Sequence, residues 1–222
     1  MSTSTRATAR KKPSLLRTPS GKLPAAVLET IARSLKEGAI AIFPTETVYG
    51  IGTSAFSPQG IRAIYQLKGR TWRKPLAVLV PSLEAAGPLV EHIPAEALLL
   101  AAAFCPGPIT LVFKASALGR LVTGGVETIA VRIPDHPVAL ALLKKVGLPL
   151  ATTSVNKSGD EPATSGREAF RLFGARVHWS IDGGVCRIQE ASSVVDVSAY
   201  PFSVKREGAI PKKDLERVLF GK

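Results

Sequence analysis

The 222-residue chain has few of the features that mark secreted, membrane-spanning or metal-binding proteins. Its two cysteines, Cys105 and Cys186, lack the spacing of a metal-binding pair and predict no disulfide framework. Apolar runs such as residues 97–104 are far too short to cross a bilayer. Residues 1–22 also lack the apolar stretch of a secretory signal peptide. These absences favour a protein of the reducing cytoplasm with no membrane partner.

The sequence also lacks the common motifs of nucleotide-binding and hydrolytic enzymes. It contains no G-x-x-x-x-G-K-[ST], no G-x-G-x-x-G after a predicted strand, no H-E-x-x-H and no G-x-S-x-G. The three histidines, His92, His136 and His178, lie far apart and favour surface or packing roles over metal ligation. A nucleotide-binding enzyme with this sequence would therefore hold phosphates by other means.

Acidic residues are missing before Glu29, and this first stretch carries half of the net charge of +12. The basic, Ser- and Thr-rich residues 1–22 predict a disordered tail, because they have little apolar surface to bury. Three roles fit such a tail: an arm that attracts RNA phosphates, a solubilising extension, or a mitochondrial transit peptide. The positive balance of the remaining residues favours an anionic ligand.

Apolar periodicity and capping residues predict one α/β domain over residues 23–222, with no linker dividing it. Pro24 begins a helix that Gly38 ends, and Ser57 caps the next helix. Ser82 caps a helical region that runs to about Phe104. The other predicted elements are helices at residues 138–146 and 168–173 and from residue 211, and strands at residues 39–43, 76–80, 109–113, 128–133, 148–153, 178–181, 194–197 and 202–205.

Three polar clusters follow predicted strands or helices, where ordered loops often carry function. Residues 44–52, P-T-E-T-V-Y-G-I-G, offer hydroxyls, a carboxylate and glycines, which fit either a small polar ligand or a tight turn. Residues 152–159, T-T-S-V-N-K-S-G, fit either the ribose and phosphate oxygens of a nucleotide or a capped turn.

The remaining cluster, residues 68–75, reads K-G-R-T-W-R-K-P and follows a predicted helix. Cations at the end of a helix complement its dipole. Four cations in so short a segment exceed that need. An ATP triphosphate would account for them, since Lys supplies a compact charge and Arg a forked donor. Phosphate binding is therefore the favoured interpretation.

Seven segments together make the sequence resemble the YrdC/Sua5 family of threonylcarbamoyl-AMP synthases. In chain order they are P-T-E-T-V-Y-G, K-G-R, P-G-P-I-T, V-R-I-P-D-H-P, T-S-V-N-K-S-G, S-S-V-V-D and R-E-G-A-I. The resemblance covers residues 24–212 and corresponds to the short, single-domain form of the family. It implies a YrdC-like twisted open α/β domain with a central, mainly β, positively charged cavity.

The resemblance also implies an activity. L-threonine, bicarbonate or CO2, and ATP would give threonylcarbamoyl-AMP and pyrophosphate, for the threonylcarbamoyladenosine modification of tRNA. Mg2+ would sit mainly on the ATP oxygens, because no carboxylate set for the ion is evident in the sequence. Contact with tRNA or other RNA, and a separate threonylcarbamoyl transferase machinery, are the implied macromolecular partners.

Site residues can be carried over motif by motif. Lys68 and Arg70 would hold the ATP phosphates and act as the catalytic cations. The substrate side would be formed by Thr45, Lys74, Arg132 and Ser193. The nucleotide side would be completed by Thr110, Ser154, Asn156 and Arg206.

The sequence departs from the family pattern at two positions of the cationic cluster. Thr71 stands where the family often has proline, and Lys74 stands where many relatives have a histidine near threonine. The role of that histidine does not transfer, although lysine can still donate a hydrogen bond.

Two other functions compete with the synthase. A non-catalytic RNA-binding or ribosome-assembly factor would fit the basic balance, but the sequence lacks the interleaved aromatics of an RRM and the GXXG of a KH domain. Carbamoyl transfer in hydrogenase maturation uses a related domain inside a much larger chain. The sequence has no zinc-finger or acylphosphatase-like segment to support that role.

Overall fold

A computed structural model describes residues 15–18, 21–72 and 74–221. The positions outside these ranges include Arg73 of the cationic cluster and four basic residues of the predicted tail, Arg6, Arg10, Lys11 and Lys12. The predictions made for those positions lie outside the described residues and stay predictions.

In the described part of the chain, ten strands and seven α-helices follow one another. The strands are β1 (Leu15–Arg17), β2 (Ala41–Phe43), β3 (Gly50–Ser54), β4 (Ala77–Leu79), β5 (Ile109–Lys114), β6 (Thr128–Arg132), β7 (Leu150–Ser154), β8 (Trp179–Asp182), β9 (Ser193–Asp196) and β10 (Ser203–Arg206). The helices are α1 (Ala25–Lys36), α2 (Pro58–Lys68), α3 (Ala95–Phe104), α4 (Ala117–Thr123), α5 (Pro137–Val146), α6 (Gly166–Phe173) and α7 (Lys212–Phe220). Across these described ranges, no helix is long and apolar enough to cross a membrane.

All of these strands belong to one sheet, in the order β1-β8-β2-β3-β7-β4-β6-β5-β9-β10. Four neighbouring pairs are parallel: β1 with β8, β8 with β2, β4 with β6, and β5 with β9. The other pairs are antiparallel. Because helices pack on both faces of this mixed sheet, the predicted α/β class is confirmed.

The structure differs from the predicted elements in three places. The disorder predicted for the tail does not apply to Leu15–Arg17, because these residues pair with β8 and the following Thr18 is buried. The helical region predicted from residue 82 is divided into a 3-10 helix at Glu84–Leu89 and α3, since Pro88 and Pro94 cannot donate to the preceding turn. The short elements β3 and α4 were not among the predicted ones.

Two hydrophobic cores lie on opposite faces of the sheet. Helices α1 and α5 cover one face through residues such as Ile31 and Leu142. Helices α2, α3, α4, α6 and α7 cover the other through residues such as Ile64 and Leu100. Leu79 of β4 packs in the core that α1 and α5 cover. It also lines a cavity over the central strands, so this cavity lies on the same face of the sheet as α1 and α5.

Close packing at the start of α2 sets the position of Lys68 at its end. Ser57 Oγ accepts a hydrogen bond from the Gly60 N–H at 3.1 Å and caps the helix. A Cβ on Gly60 would lie 2.3 Å from Thr53 Oγ1 on β3, so only glycine permits this approach. The helix ends where Gly69 adopts a left-handed φ of 61°. These contacts place Lys68 where the central strands end.

Candidate active site

The cavity over the central strands has a volume of about 270 Å³. Its lining residues come from strands and loops, and alternate residues of a strand face it, such as Ala77 and Leu79 on β4. Six of the sequence-predicted site residues line it: Thr45, Arg70, Thr110, Arg132, Ser154 and Arg206. Among the described residues of this lining, three are arginines and none is acidic. The cavity is therefore suited to an anion.

Lys68 lies directly behind this wall and is buried. Its Nζ donates to Asn156 Oδ1 at 2.8 Å, to the Ser154 carbonyl oxygen, and to Thr153 Oγ1 at 3.4 Å. These partners are all neutral oxygens. Burial, and then the charge of Arg70, lower the pKa of Lys68 to about 8. An anion in the cavity would relieve this unfavourable environment.

Asn156 supports Lys68 and is not one of the described residues that line the cavity. Its Oδ1 accepts from both Lys68 Nζ and Ser154 Oγ, the latter at 2.7 Å. Its Nδ2 donates to the carbonyl oxygen of Asp160 at 2.7 Å. The structure therefore brings Asn156 to the predicted nucleotide cluster, with its polar atoms already used to hold Lys68 and Ser154 in place.

The loop of residues 69–75, described except at residue 73, has Arg70 in the cavity and Lys74 outside its described lining. Arg70 Nε donates to the carbonyl oxygen of Lys74 at 2.8 Å, and Nη2 donates to that of Pro75 at 3.1 Å. Lys74 is exposed and is not one of the lining residues described. The substrate-binding role predicted for the Lys74 side chain therefore has no support from this geometry.

A buried ion pair joins the 44–50 segment to the end of β6. Arg132 Nη2 donates to Glu46 Oε1 at 2.8 Å and to Thr47 Oγ1 at 2.6 Å. The second oxygen of Glu46 accepts from the Asp135 N–H at 3.1 Å. The buried Nε of Arg132 has no hydrogen-bond partner among the described residues. An unpaired donor on a buried guanidinium is costly unless a ligand supplies an acceptor.

Thr45 lines the cavity at the start of the same segment. Its hydroxyl donates to the Val48 carbonyl oxygen at 2.6 Å and lies 2.9 Å from Thr47 Oγ1. The Thr47 N–H also donates to Thr45 Oγ1, at 3.3 Å. The turn is therefore held by its own side chains, and it presents Thr45 to the cavity in a fixed position.

A hydroxyl pair and Arg206 close the opposite wall. Thr110 Oγ1 and Ser192 Oγ lie 2.8 Å apart. Arg206 donates to the Ser192 carbonyl oxygen from Nε at 3.1 Å and from Nη2 at 2.6 Å. Burial, and then Arg132, lower the pKa of Arg206, which as a guanidinium still remains protonated. Sequence reasoning selected Thr110 and Arg206 and missed Ser192.

Ser193 is not one of the described lining residues of the cavity, so its predicted contact with threonine has no support from this geometry. The residue is fully buried on the other side of β9, and its Oγ donates to the Ile210 carbonyl oxygen at 2.7 Å. The same oxygen accepts the N–H groups of Gly208 and Ile210 at 3.0 Å each. Ser193 thus anchors the segment before α7, while Ser192 faces the cavity.

The donor chemistry of the cavity does not match a protein-held divalent metal. Among the described residues, no group of three or more His, Cys, Asp or Glu side chains could hold an ion. Glu46 is the carboxylate bonded to Arg132, and both of its oxygens already accept hydrogen bonds from the protein. The residues present therefore do not fit Mg2+ as a cofactor held by this chain.

The fold and cavity together define an α/β protein with a basic, hydroxyl-lined anion site. The sequence model of the Sua5/YciO/YrdC family, whose description reads "Telomere recombination", matches residues 33–208. The chain belongs to this family.

Named relatives agree with this membership. The threonylcarbamoyl-AMP synthase of Pyrococcus abyssi is 39% identical over 83% of this chain and 55% of its own length. The putative threonylcarbamoyl-AMP synthase of Mycobacterium tuberculosis is 35% identical over 84% of this chain and 86% of its own length. The crystal structure of P. abyssi Sua5 complexed with L-threonine has a TM-score of 0.86 at 36% identity, over 92% of this chain and 60% of that one.

The chain spans about half the length of two of its relatives. The synthase of P. abyssi and that of Bacillus subtilis are each matched over 55% of their length. The predicted YrdC-like fold is confirmed by these comparisons.

The Glu46–Arg132 pair predicts a large loss of stability on removal of one charge. Glu46→Gln leaves the buried Arg132 charge without its counter-ion, so the free energy of unfolding should fall by about 3–5 kcal/mol. Glu91→Gln, which removes an exposed carboxylate paired with Lys114, is the matched control and should cause a much smaller change. Urea unfolding of the three proteins measures the difference. Equal effects of the two substitutions would contradict a structural role for the buried pair.

Proposed function

We propose that this chain is a threonylcarbamoyl-AMP synthase, which forms threonylcarbamoyl-AMP and pyrophosphate from L-threonine, bicarbonate or CO2, and ATP. The observation that carries the proposal is the grouping of Lys68, Arg70, Arg132 and Arg206 around one hydroxyl-lined cavity without an acidic lining residue among those described. Two anionic substrates need such an excess of positive charge. The synthase names of the relatives support the same assignment.

The ATP phosphates are proposed to lie at the Lys68 and Arg70 end of the cavity. The contact from Lys68 Nζ to Thr153 Oγ1 is the longest of its three at 3.4 Å, so a phosphate oxygen can replace it at little cost. Arg70 has two nitrogens bonded to its own loop and keeps its other donor positions for phosphate. Ser154, Thr110 and Arg206 supply further donors to the nucleotide.

L-threonine is proposed to lie against Thr45 and Arg132. The partnerless Nε of Arg132 offers a charged donor for a carboxylate. Ser192 takes the place in this assignment that the sequence had given to Ser193, because Ser192 faces the cavity. The relative solved in complex with L-threonine supports threonine as the amino acid.

The chemistry needs positioning and charge stabilisation rather than a covalent enzyme intermediate. The threonine amine nitrogen forms a bond to the carbon of CO2 and loses a proton to solvent, which gives N-carboxythreonine. An oxygen of the new N-carboxylate then forms a bond to the α-phosphorus of ATP, while the bond from that phosphorus to the bridging oxygen breaks and pyrophosphate leaves. The side chains of Lys68 and Arg70 offset the repulsion between the two anions and the charge that gathers on the leaving group. Any Mg2+ would arrive as part of the ATP substrate.

The product is proposed to pass to a separate transferase that modifies tRNA in the cytoplasm, and direct contact with tRNA is a further expectation. The catalytic domain is proposed to cover residues 23–222. The non-catalytic RNA-binding alternative is not favoured, because the relatives carry synthase names and the cations surround a cavity.

A direct assay incubates the purified protein with ATP, labelled bicarbonate and each amino acid in turn. We expect pyrophosphate and a labelled adenylate only with threonine. Lys68→Ala and Arg70→Ala should each lower kcat/KM for ATP by about 10- to 100-fold, as expected for loss of a charged hydrogen bond. Arg33→Ala, on the exposed face of α1, is the control and should retain activity. Absence of both products, with RNA binding that survives both substitutions, would favour the RNA-binding alternative.

The lowered pKa of Lys68 predicts a pH dependence of ATP binding. A neighbouring phosphate favours the protonated amine, so binding raises the pKa of Lys68 from its value of about 8 and takes up a proton at higher pH. ATP affinity should therefore be constant below about pH 7.5 and fall by up to about tenfold per pH unit above pH 8.

Lys68→Arg is the control for this dependence, because guanidinium does not titrate in this range. Calorimetric titrations between about pH 7.5 and 9.5 should give a sloping profile for the wild-type protein and a flat one for the variant, since the ATP phosphates keep a constant charge there. The same slope in both proteins would exclude Lys68 as the titrating group.

A further inference from the structure

We infer that Tyr65 is a positioning residue that holds Arg70 in place for the ATP phosphates, an inference that rests on the proposed function. Tyr65 lies on α2, is 6% exposed, and is not one of the described lining residues of the cavity. It would act through the loop of residues 69–75, which carries Arg70.

Two hydrogen bonds from this region converge on one carbonyl oxygen. Tyr65 Oη donates to the carbonyl oxygen of Lys74 at 3.0 Å, and Arg70 Nε donates to the same oxygen at 2.8 Å. A carbonyl oxygen has two lone pairs, so it can accept both donors at once. The Tyr65 hydroxyl therefore fixes the position of the oxygen against which the guanidinium of Arg70 is oriented.

Tyr65 also holds the beginning of the loop. Its backbone carbonyl oxygen accepts the Arg70 N–H at 3.0 Å, where Gly69 turns the chain out of α2. The backbone of one residue thus fixes the first turn of the loop, and its side chain fixes the Lys74 carbonyl near the other end. These two attachments restrict the positions that Arg70 can take.

An aromatic contact adds a third attachment. The rings of Tyr65 and Trp72 are stacked, with centroids 4.0 Å apart and planes inclined by 25°. Trp72 is 58% exposed, so its position depends on this contact more than on burial. The stack lies toward a second, apolar cavity of about 490 Å³, lined also by Leu76 and Val78. Because Leu76 and Val78 alternate with Ala77 and Leu79 of the basic cavity, the two cavities lie on opposite faces of β4.

This arrangement explains how a side chain outside the cavity can affect ATP. Arg70 is a long side chain, and ordering it when ATP binds would lower affinity if it moved freely in the unbound protein. The Tyr65 hydroxyl orders the acceptor of Arg70 in advance. Loss of the hydroxyl should therefore weaken ATP binding and leave the threonine side of the cavity unchanged.

Tyr65→Phe tests this role, because it keeps the ring and the stack and removes only the hydroxyl. We expect the ATP dissociation constant and the KM for ATP to rise about five- to tenfold, while the KM for threonine stays within about twofold, as for loss of one hydrogen bond. Tyr200→Phe is the matched control, since Tyr200 is 82% exposed and is not one of the described lining residues. Calorimetry measures ATP binding without turnover.

A double-mutant cycle separates positioning from general destabilisation. In an Arg70→Ala background, Tyr65→Phe should cause no further loss of ATP affinity, because its effect is transmitted through Arg70. An equal loss in both backgrounds, or no loss in the wild-type background, would overturn the inference while leaving the synthase proposal intact. A wild-type protein that binds no ATP would overturn both.

Discussion

The buried ion pair between Glu46 and Arg132 is the contact on which the cavity depends. It connects the turn after β2 to the end of β6, two segments that are separated in the sheet by β3, β7 and β4. Glu46 also accepts the Asp135 N–H, so both walls are held by one carboxylate. Because these hydrogen bonds satisfy both oxygens of Glu46, the ion pair can remain buried. The pair also fixes the orientation of the Arg132 guanidinium. The Nε of Arg132, which has no hydrogen-bond partner among the described residues, remains available to a ligand.

Within the described part of the chain, the other cations of the site have no carboxylate partner, and this difference leaves their charge available to an anion. Lys68 is bonded to neutral oxygens, Arg70 to carbonyls of its own loop, and Arg206 to the Ser192 carbonyl. Desolvation disfavours the charged form of Lys68 and lowers its pKa, so an anion that enters the cavity gains interactions that the protein itself does not satisfy. The fold thus holds positive charge on positioned groups, which is the environment that the proposed reaction of two anions would need.

The resemblance to the family, carried over motif by motif, indicated most of the residues that the structure groups at the cavity. The order of segments identified Lys68, Arg70, Thr110 and Arg206 as neighbours, and the structure brings them together. The assignment of Ser193 to the substrate side did not consider strand parity and has no support from the geometry: Val195 faces the core, so Ser193 does too, and Ser192 faces the cavity. The pairing of β1 depends on β8, which is distant in sequence, and local patterns do not contain such a contact. The orientation of Lys74 depends on its loop, where Tyr65 and Arg70 both donate to its carbonyl oxygen, and charge patterns do not predict that geometry.

The central claim is that the ATP phosphates bind at Lys68 and Arg70 while threonine lies beside Arg132. A crystal structure of the protein with L-threonine and a non-hydrolysable ATP analogue measures this directly. The account predicts phosphate oxygens within hydrogen-bonding distance of Lys68 Nζ and the Arg70 guanidinium, and a threonine carboxylate at Arg132 Nε. Phosphates bound away from Lys68 and Arg70, or an analogue bound outside this cavity, would contradict it.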